Sequence, residues 1–195
     1  MTTTLRPDEL RRLLDAAPRH RDRYLVAALT GLRSRELSLV EKRDFDLAAG
    51  LWTCRPEVDK EGQGWRLPIL PDLRPELARL LLALPDPTSR LFPRRLGNGT
   101  LDRHLAWAKI PNLDPQGRRV HFHSLRYTFC TLCARQLPIQ TVQRFMRHAD
   151  IRRTVNLYLD LGLEHLAAAV ETLPPLFDPA AGPTATPHTK RKAGN

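Results

Sequence analysis

Cysteine is scarce in this sequence. Cys54, Cys130 and Cys133 are the only three in 195 residues, which excludes the disulfide framework of small secreted domains. No charged-then-apolar leader opens the chain, and its longest apolar runs fall far short of the roughly 20 residues that a membrane span needs. Together these absences predict a reduced, cytoplasmic protein without a membrane segment. Acidic residues are the other shortage, with 21 Asp and Glu against 31 Lys and Arg, a formal net charge of +10 and a pI near 10.4. The last twenty residues, Leu176 to Asn195, carry +2 of this, leaving about +8 on the body. The surface is therefore suited to a polyanion.

What is present is enough apolar content, 42%, to fill the core of one domain. In "RPDELRRLLDAA", Leu10, Leu13, Leu14 and Ala17 recur at helical spacing, Pro7 suits a first helical position, and acids occupy the first turn. A second helix is expected over Tyr24 to Thr30, ending at Gly31, and a third from Ser34 carrying Leu37 and Val40. Between Leu51 and Leu70 the period changes to two: Trp52 and Cys54, then Trp65, Leu67 and Ile69, flank the glycine-containing "KEGQG", a hairpin signal. "LRPELARLLLAL" returns to helix and "PDPTS" ends it. From His121 onward helices are expected near 124–136, 139–147 and 152–161, with a short one at "EHLAAAVETL". The residues from 176 to the end are too poor in apolar side chains to fold. The expected fold class is mainly α with a small antiparallel β-sheet.

Four stretches carry candidate chemistry. In "TGLRSREL", Arg33 follows the glycine that separates two helices, and its guanidinium can meet a phosphate with two parallel hydrogen bonds. The plainer reading is a solvated pair with Glu36. In "HSLRYTFCTLCARQL", His123, Arg126, Cys130, Cys133 and Leu137 share one helical face, Leu125, Phe129 and Leu132 an adjoining one, while Tyr127, Thr128, Thr131 and Arg135 are expected to point elsewhere. A helix buried on two sides that begins with His and Arg must aim both at a partner. A core histidine with an arginine satisfied by carboxylates is the alternative. Zinc on Cys130 and Cys133 with His121 and His123 is a further one, disfavoured because such cysteine pairs usually sit in a tight turn. In "MRHADIRRTVNLYLD", Asp150 can cap the following helix, His148 lies just before it, and Tyr158 shares a face with Ile151 and Val155. Lys60 lies beside the hairpin turn, with Arg66 and Pro68 after it.

Taken in order, "TGLRSRELSLV", "DKEGQGWRLPI", "HFHSLRYTF" and "MRHADIRRTVNLY" closely resemble the catalytic domain of the tyrosine recombinases, the family of phage-type integrases and chromosome-dimer resolvases, over about residues 5 to 173. The resemblance implies a helical domain with a small sheet that cleaves and rejoins double-stranded DNA through a 3'-phosphotyrosyl link. It assigns Tyr158 as nucleophile, Arg33 and Arg126 as the phosphate clamp, His123 as proton acceptor, Lys60 as proton donor and His148 as a further phosphate contact. It implies no metal, nucleotide or other cofactor, no small-molecule substrate, and a homo-tetramer on DNA.

The expected boundaries are a catalytic domain over 1–175 and a basic tail over 176–195. The helical domain that relatives carry ahead of the catalytic domain is expected to be absent. "EHLAAAVETL" could dock on a neighbouring subunit or on its own domain. Rival activities are a DNA-binding module without recombination and a type IB topoisomerase.

Overall fold

A computed structural model of the chain describes residues 3–147 and Val155. α1 (Pro7–Ala16) opens with proline at its first position and Asp8 and Glu9 in its first turn, where a missing N–H costs nothing and acids meet the positive end of the helix. Arg6 precedes it, and a guanidinium has no acceptor with which to cap. Glu9 instead takes the Arg6 backbone N–H at 2.9 Å. Leu10, Leu13, Leu14 and Ala17 are buried as their spacing demands.

α2 (Arg21–Thr30) starts three residues ahead of the expected Tyr24 and buries Tyr24, Val26, Ala27 and Ala28 completely. It stops at Gly31, whose φ of 63° is left-handed, a conformation that glycine adopts without a Cβ penalty. α3 (Ser34–Leu37) is a single turn; Val40 lies beyond it, yet is fully buried.

The sheet has three antiparallel strands in the order β1 (Phe45–Asp46), β2 (Leu51–Cys54), β3 (Trp65–Pro68). Its register pairs Phe45 with Trp52 and Trp52 with Leu67, all three buried on one face. The expected hairpin is therefore present, and β1 is an addition that a two-residue strand could not announce. Trp65 is only half-buried because its indole turns to Asp59, donating to the carboxylate at 3.2 Å.

α4 (Arg74–Leu82) follows, then α5 (Asn98–Trp107), a helix that the sequence reading does not anticipate. α6 (Phe122–Ala134) and α7 (Ile139–Met146) fall within a few residues of their expected bounds. α6 spans two clusters of the core: Leu125 belongs to the main one, and Phe129, Cys130 and Cys133 to a second with Val142 and Met146 of α7. Thr128 does not point away from the core; it is 1% exposed, because its hydroxyl accepts the Leu5 N–H at 2.9 Å and so ties α6 to the chain entering α1. No helix among the described residues is long and apolar enough to cross a membrane. The fold is mainly α with a small antiparallel sheet, as expected. Of the helix anticipated near 152–161 only Val155 is described, and it is helical; "EHLAAAVETL" and the tail lie outside the described residues.

Candidate active site

The end of α2 builds the floor of the site. After Gly31 the chain turns at once into α3, so Arg33 stands at the start of a new helix. Glu36, one turn on, accepts the Arg33 backbone N–H at 2.9 Å and pairs with its guanidinium at 2.6 Å. The plain expectation of an Arg33–Glu36 pair is thus met, though not in solvent: Glu36 is 1% exposed.

α6 brings the second arginine to the same place. Arg126 is 2% exposed, and its two terminal nitrogens donate to the backbone carbonyls of Gly31 and Met146. It is therefore satisfied by carbonyls rather than by carboxylates. Burial, followed by repulsion from Arg147 and Arg33, pulls its pKa down to about 9, leaving it charged at neutral pH.

His123 lies one turn earlier on α6, half-buried, its ring edge-on to Tyr127 at 5.1 Å and stacked with His121 at 6.1 Å. Burial first, then Arg126, His121 and Arg33, lowers its pKa to about 4. The ring is neutral at physiological pH and can accept a proton.

Arg147 is the residue that sequence reasoning missed. It ends α7 in a left-handed conformation (φ 51°) and is 1% exposed. Its guanidinium pairs with Glu36 at 2.7 Å, reaches the Gly31 carbonyl at 3.3 Å and lies 5.5 Å from the centre of a Trp52 ring. Nothing in "MRH" signals this, since a lone arginine before a histidine reads as solvated. Three guanidinium groups thus gather at the Gly31 turn, and Glu36 is the one carboxylate paired with any of them among the described residues. Glu36 keeps its carboxylate because burial, which would raise its pKa, is outweighed by Arg147 and by the hydrogen bonds from Arg33.

Lys60 is not brought into this group. It is exposed on the β2–β3 connection, which Asp59 anchors by accepting the Gln63 N–H at 3.1 Å as well as the Trp65 indole. Arg66 and Pro68 are also exposed, and Arg66 is 3.7 Å from Asp46. His148 and Tyr158 lie outside the described residues. Cys130 and Cys133 pack in the core, where burial pushes both thiols up to about 12. Among the described residues, no three His, Cys, Asp or Glu side chains are grouped to hold a metal.

The model of the phage integrase family matches residues 3–165. A tyrosine recombinase XerC of Pseudomonas fluorescens is 30% identical over 190 residues, covering 88% of this chain and 60% of that protein. A XerC of Xanthomonas campestris pv. campestris is 30% identical over 165 residues, covering 80% and 49%. The chain thus spans about half to three fifths of the length of these relatives. Among solved structures, XerA recombinase superposes with a TM-score of 0.67 at 23% identity, covering 91% of this chain and 65% of that one. The catalytic domain of bacteriophage HP1 integrase gives 0.63 at 20% identity, covering 88% and 95%. The fold is shared with these recombinase domains, and the family match extends over most of the sequence: the chain belongs to the phage integrase family.

Proposed function

We propose that the chain is the catalytic domain of a site-specific DNA recombinase, cutting and rejoining double-stranded DNA without a metal or a nucleotide. The observation that carries this reading is the convergence of Arg33 and Arg126 on the turn at Gly31, with excess positive charge around a single buried carboxylate. A phosphodiester is the anion that such a set fits, since guanidinium groups meet its non-bridging oxygens in pairs.

In the proposed reaction the Tyr158 phenolic oxygen forms a bond to phosphorus and the bond to the 5'-oxygen breaks. Tyrosine, with a pKa of about 10, is mostly un-ionised at neutral pH, so its proton must leave during attack. His123 takes it. The low pKa of His123 in the free protein reflects burial first and then Arg126, His121 and Arg33, and an incoming phosphate offsets the two guanidinium charges and makes the ring more basic. Arg33 and Arg126 stabilise the charge that develops on the phosphate, each worth on the order of 10²- to 10³-fold in rate. Arg126 is closed off in the free protein, so this requires exchange of its bond to the Met146 carbonyl for one to phosphate. His148 adds a hydrogen bond. Lys60, on an exposed connection able to close over DNA, protonates the departing 5'-oxygen.

Structures of relatives described as the Tn1549 transposon integrase in complex with circular intermediate DNA and XerH site-specific recombinase bound to difH substrate, similar in fold to this chain, support duplex DNA as partner. Residues 1–175 form the catalytic unit in this reading, 176–195 a basic tail, and the working assembly is a homo-tetramer on DNA in the cytoplasm. A nicked suicide duplex tests the chemistry: at low salt the chain should become covalently attached, and Tyr158→Phe should abolish attachment. An adduct that persists in Tyr158→Phe, or none in the parent at saturating DNA, would refute it.

A further inference from the structure

Away from this site, the first turn of α2 and the segment 92–96 enclose a cavity of about 410 Å³. Its walls carry four guanidinium groups, Arg19, Arg23, Arg94 and Arg95, and one carboxylate, Asp22. Asp22 is engaged elsewhere, with Arg79 at 2.7 Å and Arg21 at 3.5 Å. None of the four arginines is ion-paired to a carboxylate among the described residues.

Arg23 is the informative one. It is 8% exposed, and its guanidinium lies over the Phe92 ring, 5.0 Å from the centroid. Stacking leaves the edge donors of a guanidinium free. Burial lowers its pKa, which Tyr24 offsets only in part. His20, also in the wall, is held neutral, first by burial and then by Arg23, Arg19 and Arg103. A cation withdrawn from water without a counter-ion is unfavourable, and three more beside it compound the imbalance. An anion presenting several oxygens is what would relieve it.

Arg23 lies in the first turn of α2, the helix that ends at Gly31 just before Arg33. We infer that the cleft formed by Arg19, Arg23, Arg94 and Arg95 is a second phosphodiester site, gripping the DNA backbone away from the phosphate held at Arg33 and Arg126. This rests on the strand-cleavage reading for its ligand, though not for its geometry.

Anisotropy titration of a mixed-sequence duplex against the full chain over a salt series tests it, with Arg23→Met and the double variant Arg94→Gln/Arg95→Gln. Each should weaken binding about tenfold, as expected for charge-assisted hydrogen bonds. Each should also flatten the dependence of log affinity on log salt, by about 0.9 for every phosphate that is no longer neutralised. Arg94 and Arg95 are exposed, so the double variant keeps the test decisive if Arg23→Met does not fold. Unchanged affinity and slope in the folded variants would overturn the inference. Inorganic phosphate raising the melting temperature of the parent alone, with duplex affinity equal in all, would reassign the cleft to free phosphate and overturn its assignment to DNA. The suicide substrate separates the two readings: an adduct with unaltered binding in the variants ends the inference only. Weakened binding in the variants without any parental adduct ends the cleavage reading and leaves the cleft standing.

Discussion

Arg147 and Glu36, 111 positions apart, are joined at 2.7 Å with their side chains 0% and 2% exposed. The same carboxylate holds Arg33 at 2.6 Å, so one acid fixes guanidinium groups from α3 and from the end of α7. Nε and Nη1 of Arg147 have no hydrogen-bond partner among the described residues. The left-handed backbone at Arg147 is unfavourable for a side chain of this size, and the pair with Glu36 and the Trp52 face hold it there.

Breaking this pair should be severe. Glu36→Gln leaves the buried Arg147 and the part-buried Arg33 without their carboxylate and should destabilise by about 3–5 kcal/mol, whereas Arg147→Met leaves Glu36 paired with Arg33 and should cost less. The double variant should lose less than the sum, since neighbours in one network couple by about 0.5–3 kcal/mol. Urea denaturation measures all three; additive losses would contradict the pairing. Because the Glu36 pKa is depressed in the fold, its contribution is present above the unfolded carboxylate range, about 4.3, and fades as pH drops through the lower folded value.

Gly31→Ala should impair chemistry beyond its effect on folding. A Cβ at this left-handed position would lie 2.6 Å from Phe129 Cδ1, and the conformation itself costs about 1–2 kcal/mol without glycine. The carbonyl that receives Arg126 and Arg147 must then shift. Covalent attachment to a suicide substrate should fall at temperatures where circular dichroism still reports a folded chain. Adding Phe129→Leu, which opens room for the methyl group, should recover part of the rate; no recovery would place the fault elsewhere.

His123 should titrate near pH 4 in the free protein, read from its imidazole carbon-bound proton by NMR. Since the unfolded ring takes up its proton near pH 6.5, the fold loses stability as pH falls from about 6.5 toward 4. Duplex DNA should shift the midpoint upward by supplying negative charge beside Arg126 and Arg33. A midpoint unmoved by DNA would remove the case for His123 facing the phosphate.

Lys60→Ala should slow cleavage of an ordinary phosphodiester by about 10²- to 10⁴-fold, the usual contribution of a positioned acid. A substrate with sulfur in place of the bridging 5'-oxygen leaves readily as a thiolate and should restore the rate. Asp59→Ala, which releases the Gln63 and Trp65 anchors of the same connection, should show a smaller loss with the same rescue. Equal defects on both substrates would argue against Lys60 as proton donor.

Most of the helices are legible in the sequence because their signals are local. The spacing of Leu10, Leu13 and Leu14 marks the buried face of α1, and Gly31 stops α2. α5 escapes because its first turn, Asn98-Gly99 after Gly97, reads as a turn; Leu101, His104 and Leu105 supply a buried face only once α1 packs there. The hairpin is visible in the alternation of Trp52, Cys54 and Leu67, whereas β1 forms only because Phe45 finds Trp52 across the sheet. Thr128 looks solvated, yet a partner 123 positions away in sequence buries it.

The family, most of the helices, the hairpin, and the placing of Arg33, His123 and Arg126 at helix starts all follow from the order of residues, since periodicity, glycine stops and short motifs act over a few positions. Packing, in contrast, selected the Gly31 and Met146 carbonyls as the partners of Arg126 and buried Arg147 against Glu36. Whether a charge is withdrawn from water depends on partners supplied from far along the chain, and 31 basic residues look alike until folding pairs a few of them.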